Sequence, residues 1–266
     1  MTTAAASPGR FFQGPPAGCR FPTTVSSIHK PFSRAEVLTS IERDLLWDSA
    51  AERRHGWDRP WTDLQHRRVR LVGVLQDAAI ASGRTLEALL EVLYAGMPQV
   101  LAHARRVACG AVALAETLGL GEAAIGHLHR AALAHDIGKK AVPDAVLAKS
   151  GPLCNEEIVM IQTHATIGYE VLSASPFLQP AAEIVLASRE RFDGTGYPAG
   201  LRGTAIPLGA RILAVADAFD ALTSARVHRD PLSHDDANVE LVRGAGSHFD
   251  PEIVRAWLMT SERTTC

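Results

Sequence analysis

Apolar residues along this 266-residue chain recur three and four positions apart, not two, which is the spacing of one face of an α-helix. Val37, Ile41 and Leu45 follow Ser33 and Glu36, a pair with capping-box spacing. Thr62 and Gln65, a second such pair just after Pro60, open a run carrying Val69, Val72 and Leu75, and Leu86, Leu89, Leu90 and Leu93 mark a third helix. From Met97 to Leu118 the stripe Val100, Ala104, Val107, Ala111, Leu114 and Leu118 predicts a strongly amphipathic helix. Helices are also predicted from Glu122 to Asp136, where Gly138 ends the run, from Asn155 through Leu172, and from Phe177 to Arg189. After Pro207, the residues Ile212, Leu213, Val215, Ala216, Phe219 and Leu222 are apolar nearly all round, so that helix is expected to be buried. Helices over Ser233–Ala245 and Pro251–Met259 close the chain, and no strand of any length is visible. The expected fold class is all-α.

Residues 1–32, rich in Pro, Gly and Ala without a period, read as a mobile leader, and residues 33–96 as a helical N-terminal segment of unassigned role. No strand–turn–helix series with clustered acids occurs in the first 96 residues, which argues against a phospho-acceptor receiver domain there. Composition narrows the picture further. A hydrophobic fraction of 47% supports a substantial core, and a formal charge of −2 argues against the broad basic surface that nucleic-acid binding needs. No run approaches a membrane span, so no membrane partner is expected. Four cysteines without a CxxC spacing argue against a disulfide framework or a thiolate zinc site, and a reducing cytoplasm is the expected compartment.

The candidate chemistry lies in polar residues placed on apolar helix faces. His103 sits beside Val100 and Val107; alone, such a histidine is more often a satisfied core residue than a ligand. His135 and Asp136 end the run Ala131-Ala132-Leu133-Ala134, and Asp217 and Asp220 interrupt the apolar helix after Pro207. A carboxylate in such a helix must be paired, protonated or bound to a cation. Asp220 reads better as a supporting or arginine-paired carboxylate than as a ligand, and His127 and His129 read as surface residues. Together His103, His135, Asp136 and Asp217 offer two neutral nitrogens and two anionic oxygens, a mix suited to Mn, Fe, Zn or Mg. Such an ion acidifies water and polarises a phosphoryl group. The loop Arg191–Gly203, with four glycines and Pro198, is too irregular for regular structure, and long loops of this kind are commonly functional.

The runs His135-Asp136-Ile137-Gly138-Lys139, Thr163-His164-Ala165-Thr166-Ile167-Gly168 and Asp193-Gly194-Thr195-Gly196-Tyr197-Pro198 resemble the HD-GYP subgroup of the HD superfamily of metal-dependent phosphohydrolases. The stretches Ala214–Ser224 and Gly246–Pro251 fit the same pattern, and the resemblance covers residues 97–266. It implies an HD-domain helical bundle carrying an N-terminal helical extension. It implies hydrolysis of cyclic di-GMP with two or three metals, His103, His135, Asp136 and Asp217 holding the first, Asp136 bridging to a second, and His164 serving that second ion. Lys139 would touch a phosphate oxygen, making Lys139 and Asp136 the catalytic pair. Tyr197, Arg226 and Arg229 would lie near the dinucleotide.

One departure stands out: the family pattern has two adjacent histidines before the Glu, whereas this chain has Ser188 and Arg189 before Glu190. Serine is a weak neutral ligand and arginine stays protonated. One metal site is therefore expected, with the second in doubt and left with Asp136, His164 and at most Glu190 or water. Arg189 would offer its charge to the substrate phosphate. Gln99 stands where three-metal members carry Glu, which argues against a third ion. Three functions fit: a slow cyclic di-GMP phosphodiesterase, a non-catalytic module binding the dinucleotide or a signalling protein through Gly196-Tyr197-Pro198, and a phosphohydrolase of another nucleotide. A homodimer is compatible with each.

Overall fold

The computed structural model describes residues 58–77, 83–225 and 230–261. Eleven α-helices are found there, with three short 3-10 segments and a single isolated bridge between Ala245 and Phe249. They are α1 (Asp58–Asp77), α2 (Gly83–Leu93), α3 (Pro98–Thr117), α4 (Glu122–Ala134), α5 (Asp144–Leu147), α6 (Asn155–Gln162), α7 (His164–Ser173), α8 (Gln179–Leu186), α9 (Leu208–Thr223), α10 (His234–Gly244) and α11 (Pro251–Ser261). The all-α expectation holds. The leader and the Ser33 capping box lie outside the described residues. Among the described residues, no helix is long and apolar enough to cross a membrane.

The apolar stripes dictate the packing. Helix α3 lies against α4 and α9, burying Val107, Ala111 and Leu114 together with Leu128, Ala131, Ile212 and Val215. Helix α8 packs on α7 and α4, and α11 covers α3 and α9, with the Phe219 and Trp257 rings 4.9 Å apart. Ahead of this bundle, α1 packs on α7, where the Arg68 guanidinium donates two hydrogen bonds of 2.6 Å to the Glu170 carboxylate.

Several boundaries differ from those the periodicity predicts. Thr62 lies inside α1, which begins four residues earlier at Asp58. The apolar pattern from Asn155 to Leu172 runs through a break at Thr163, whose hydroxyl donates to the Met160 carbonyl, so that α7 begins at His164. The predicted helix to Arg189 ends at Leu186, leaving Ser188 and Arg189 outside it. Cys154 is a free thiol.

Gly138 does more than end α4. It lies in the 3-10 segment Ile137–Ala141, where a Cβ would sit 2.0 Å from the His164 carbonyl oxygen and 2.8 Å from the Gly168 nitrogen. Only glycine permits this backbone contact, which brings the end of α4 against the start of α7. Gly138→Ala is expected to cost at least about 3 kcal/mol of folding stability, measured by denaturant unfolding; a near-neutral effect would show that the two segments can separate without penalty.

Candidate metal centre

The centre is built from imidazoles whose outer nitrogens are already committed. His135, 1% exposed at the end of α4, donates from Nδ1 to the Ala132 carbonyl at 2.7 Å. His164, first residue of α7, does the same to the Ile161 carbonyl at 2.7 Å. His103, on α3, donates from Nδ1 to Asp220 Oδ2 at 2.7 Å. Each interaction turns Nε2 inward, the arrangement in which imidazoles ligate metals once that nitrogen carries no proton. The His103 and His135 ring centroids are 5.2 Å apart.

Two carboxylates meet these nitrogens. Asp217 Oδ1 lies 3.3 Å from His103 Nε2 and 3.7 Å from His135 Nε2. Asp136 Oδ1 lies 3.5 Å from His135 Nε2. His135 Nε2 is buried and has no hydrogen-bond partner, an orphaned acceptor surrounded by anionic oxygen. Ligand atoms of His103, His135 and Asp136 all lie within 4.8 Å of one another. This donor set fits a divalent cation, with Asp217 completing it.

Arg189 enters from the other side. Its Nη1 donates to Asp217 Oδ2 at 2.6 Å, its Nη2 to Asp136 Oδ1 at 3.0 Å, and its Nε to His164 Nε2 at 3.3 Å. Spacing and resemblance suggested a guanidinium turned to a substrate phosphate; its fork in fact lies on the two carboxylates. Lys139, expected at a phosphate oxygen, donates to Asp136 Oδ2 at 2.6 Å.

The electrostatics follow from these pairs. Burial works to raise Asp136 and Asp217, but neighbouring His135, Lys139 and Arg189 pull Asp136 well below the ordinary carboxylate range, and Arg189 with His103 does so for Asp217. Burial disfavours the Arg189 cation, and Asp217 and Asp136 outweigh it. Burial and Arg189 push His164 down to about 3, so it is neutral. His103 goes the other way: burial lowers it, yet Asp217 and Asp220 lift it to about 9.

Asp220 holds His103 as the sequence suggested. Its partner, Arg106, was not singled out, although it lies one turn beyond His103 as Asp220 lies one turn beyond Asp217. Arg106 donates from Nε to Asp220 Oδ1 at 2.5 Å and from Nη2 to Ser224 at 3.0 Å. The surface reading of His127 and His129 is too simple, since both are half-buried and His127 Nδ1 accepts from Arg130 at 2.8 Å.

The loop after Arg189 is ordered by its own groups. The buried Glu190 carboxylate accepts from the backbone N–H groups of Ala199, at 2.7 Å, and Leu201, at 3.0 Å. That corrects its reading as a spare ligand. The Ser188 hydroxyl donates back to the Val185 carbonyl at 2.8 Å. A Cβ on Gly196 would lie 2.3 Å from the Arg191 nitrogen, so the loop closes tightly over the Arg189 segment. Its Tyr197 ring stands edge-on to His164 with centroids 6.3 Å apart. Arg226 and Arg229 lie outside the described residues.

Comparison with known proteins gives four matches. A family model described as HD domain matches residues 87–253. A cyclic di-GMP phosphodiesterase response regulator of Xanthomonas campestris is 49% identical over 147 residues, covering 54% of this chain and 39% of that protein. A 3'3'-cGAMP-specific phosphodiesterase of Vibrio cholerae is 40% identical over 159 residues, covering 59% of this chain and 30% of that protein. The chain thus spans well under half the length of these curated relatives. Among solved structures, an HDG"Y"P protein from Bdellovibrio bacteriovorus matches with a TM-score of 0.52 at 19% identity, covering 86% of this chain and 79% of that one, which supports the fold.

Glu190 gives a pH signature. Burial lifts its carboxyl from 4.5 to about 7 against the pull of the Ala199 and Leu201 N–H groups. Between those values the folded protein holds a proton that the unfolded chain has released, so this contribution to stability is full below 4.5 and is lost as pH rises through about 7. Glu190→Gln is expected to flatten that part of the pH dependence of unfolding free energy; equal slopes in both proteins would place the proton elsewhere.

Proposed function

The chain belongs to the HD domain family, and from that premise we propose that it is a metal-dependent phosphodiesterase acting on a cyclic dinucleotide, cyclic di-GMP first among candidates. The observation that carries this reading is the convergence of His103 and His135 Nε2 on the Asp136 and Asp217 carboxylates, with the His135 nitrogen buried and unpartnered. These four residues would hold a divalent ion, Mn, Fe, Zn or Mg by donor type. When bound, such an ion supplies an acidified water and a polarised phosphoryl oxygen.

The chain's own groups supply the rest. Arg189 has five N–H donors and spends three on Asp217, Asp136 and His164, leaving two for a phosphate oxygen. The Lys139 ammonium, 37% exposed beside Asp136, can meet a second phosphate oxygen. Tyr197, in the loop next to His164, offers a ring face to a base and a hydroxyl to the sugar-phosphate. Asp220, itself held by Arg106, keeps the His103 ring in the orientation the site needs. The reaction adds water across one phosphodiester bond and opens the ring to a linear dinucleotide.

A second reading rests on one specific observation: Arg189 and Lys139 already neutralise both carboxylates, as in a centre that binds a phosphoester without cleaving it. Incubating the protein with cyclic di-GMP and 3'3'-cGAMP under Mn, Fe, Mg and Zn, and resolving products by chromatography, separates the two. Linear product is expected, with His135→Ala lowering the rate by about 100-fold or more. Binding by calorimetry without product under every metal would refute hydrolysis and leave the binding module.

A further inference from the structure

Both carboxylates of the centre are shared between two sides. Asp217 turns Oδ1 toward His103 and His135 Nε2 and gives Oδ2 to Arg189 Nη1. Asp136 Oδ1 lies between His135 Nε2, at 3.5 Å, and Arg189 Nη2, at 3.0 Å. Carboxylates set this way ordinarily bridge two cations. Here the second position is filled by a side chain, and its planar fork also takes up the His164 lone pair. We propose that the Arg189 guanidinium is a tethered cation standing in place of a second metal ion, so that the centre takes one divalent ion, on its His103–His135 side. The proposal rests on the metal-dependent reading above for that one ion.

Three features make Arg189 a lasting occupant. Its neighbours offer no ligand on this side: the Ser188 hydroxyl is turned back onto Val185 and Glu190 is committed to the Ala199 and Leu201 backbone. Arginine does not release its proton in a protein, so its charge repels a second ion at every working pH. The guanidinium also meets three acceptors of different residues at once through a rigid planar fork, a geometry that a flexible ammonium does not preset. The opposite side keeps the unpartnered His135 Nε2, the one feature here that asks for a ligand.

Two kinds of measurement test this without turnover. The full chain is stripped with chelator, dialysed against Mn2+, and its bound manganese counted by elemental analysis. Thermal unfolding is recorded with and without the ion. Wild type is expected to hold one equivalent, and Ser188→His/Arg189→His two. Arg189→Met, which strands Asp136 and Asp217 without their fork, is expected to melt several degrees lower when metal-free, and to gain far more from Mn2+ than wild type does. If it does not fold without metal, Arg189→Lys keeps one charge on the segment and is expected to fold and to stay at one equivalent. Two equivalents or none in wild type, two in Arg189→Lys, or an unchanged metal-free melting point for Arg189→Met would each overturn the proposal. Absence of hydrolysis alone would count against the proposed reaction and not against these counts.

Discussion

The interaction on which the centre depends is the fork of Arg189 across Asp136 and Asp217. The two carboxylates are only 15% and 14% exposed, and two anions so placed would drive the helices that carry them apart unless a cation lay between. Guanidinium charge satisfies both and stays when the solution holds no metal. The two segments that would otherwise repel are thereby held together by the chain itself. The Lys139 ammonium adds a second, more exposed counter-charge on the outer oxygen of Asp136.

Around that pair, the bundle supplies position and little else. His103 stands in the middle of α3, His135 at the end of α4, His164 at the start of α7 and Asp217 within α9. Every one is borne by a helix with a buried apolar face, so the packing of Val107, Leu128, Val185 and Val215 sets distances that the polar groups inherit. Each inward nitrogen is then aimed by an ordinary helix-terminal or cross-helix hydrogen bond.

Much of this was legible in the chain as written. His103, His135, Asp136 and Asp217 stood out because polar groups on apolar helical faces must find partners, and these converge. Asp220 was readable for the same reason. Arg106 was not, because an arginine on an exposed helix face looks like any solvated cation until the fold sets Asp220 opposite it. Arg189 was recognised as a misplaced charge, but its partner was chosen from chemistry alone; whether it faced substrate or carboxylate depended on α8 ending at Leu186. Gly138 read as a helix breaker because close backbone approach leaves no periodic trace. The break at Thr163 was hidden by an apolar pattern that continues unchanged across it.

The Arg68–Glu170 pair carries a consequence of its own. Helix α1 precedes residue 87, where the family match begins, yet it clasps α7 less than two turns beyond His164. A two-point guanidinium clasp fixes orientation as well as distance, so α1 and α7 are held at a set angle. The segment upstream of the family match is thereby moored to the helix that begins at His164.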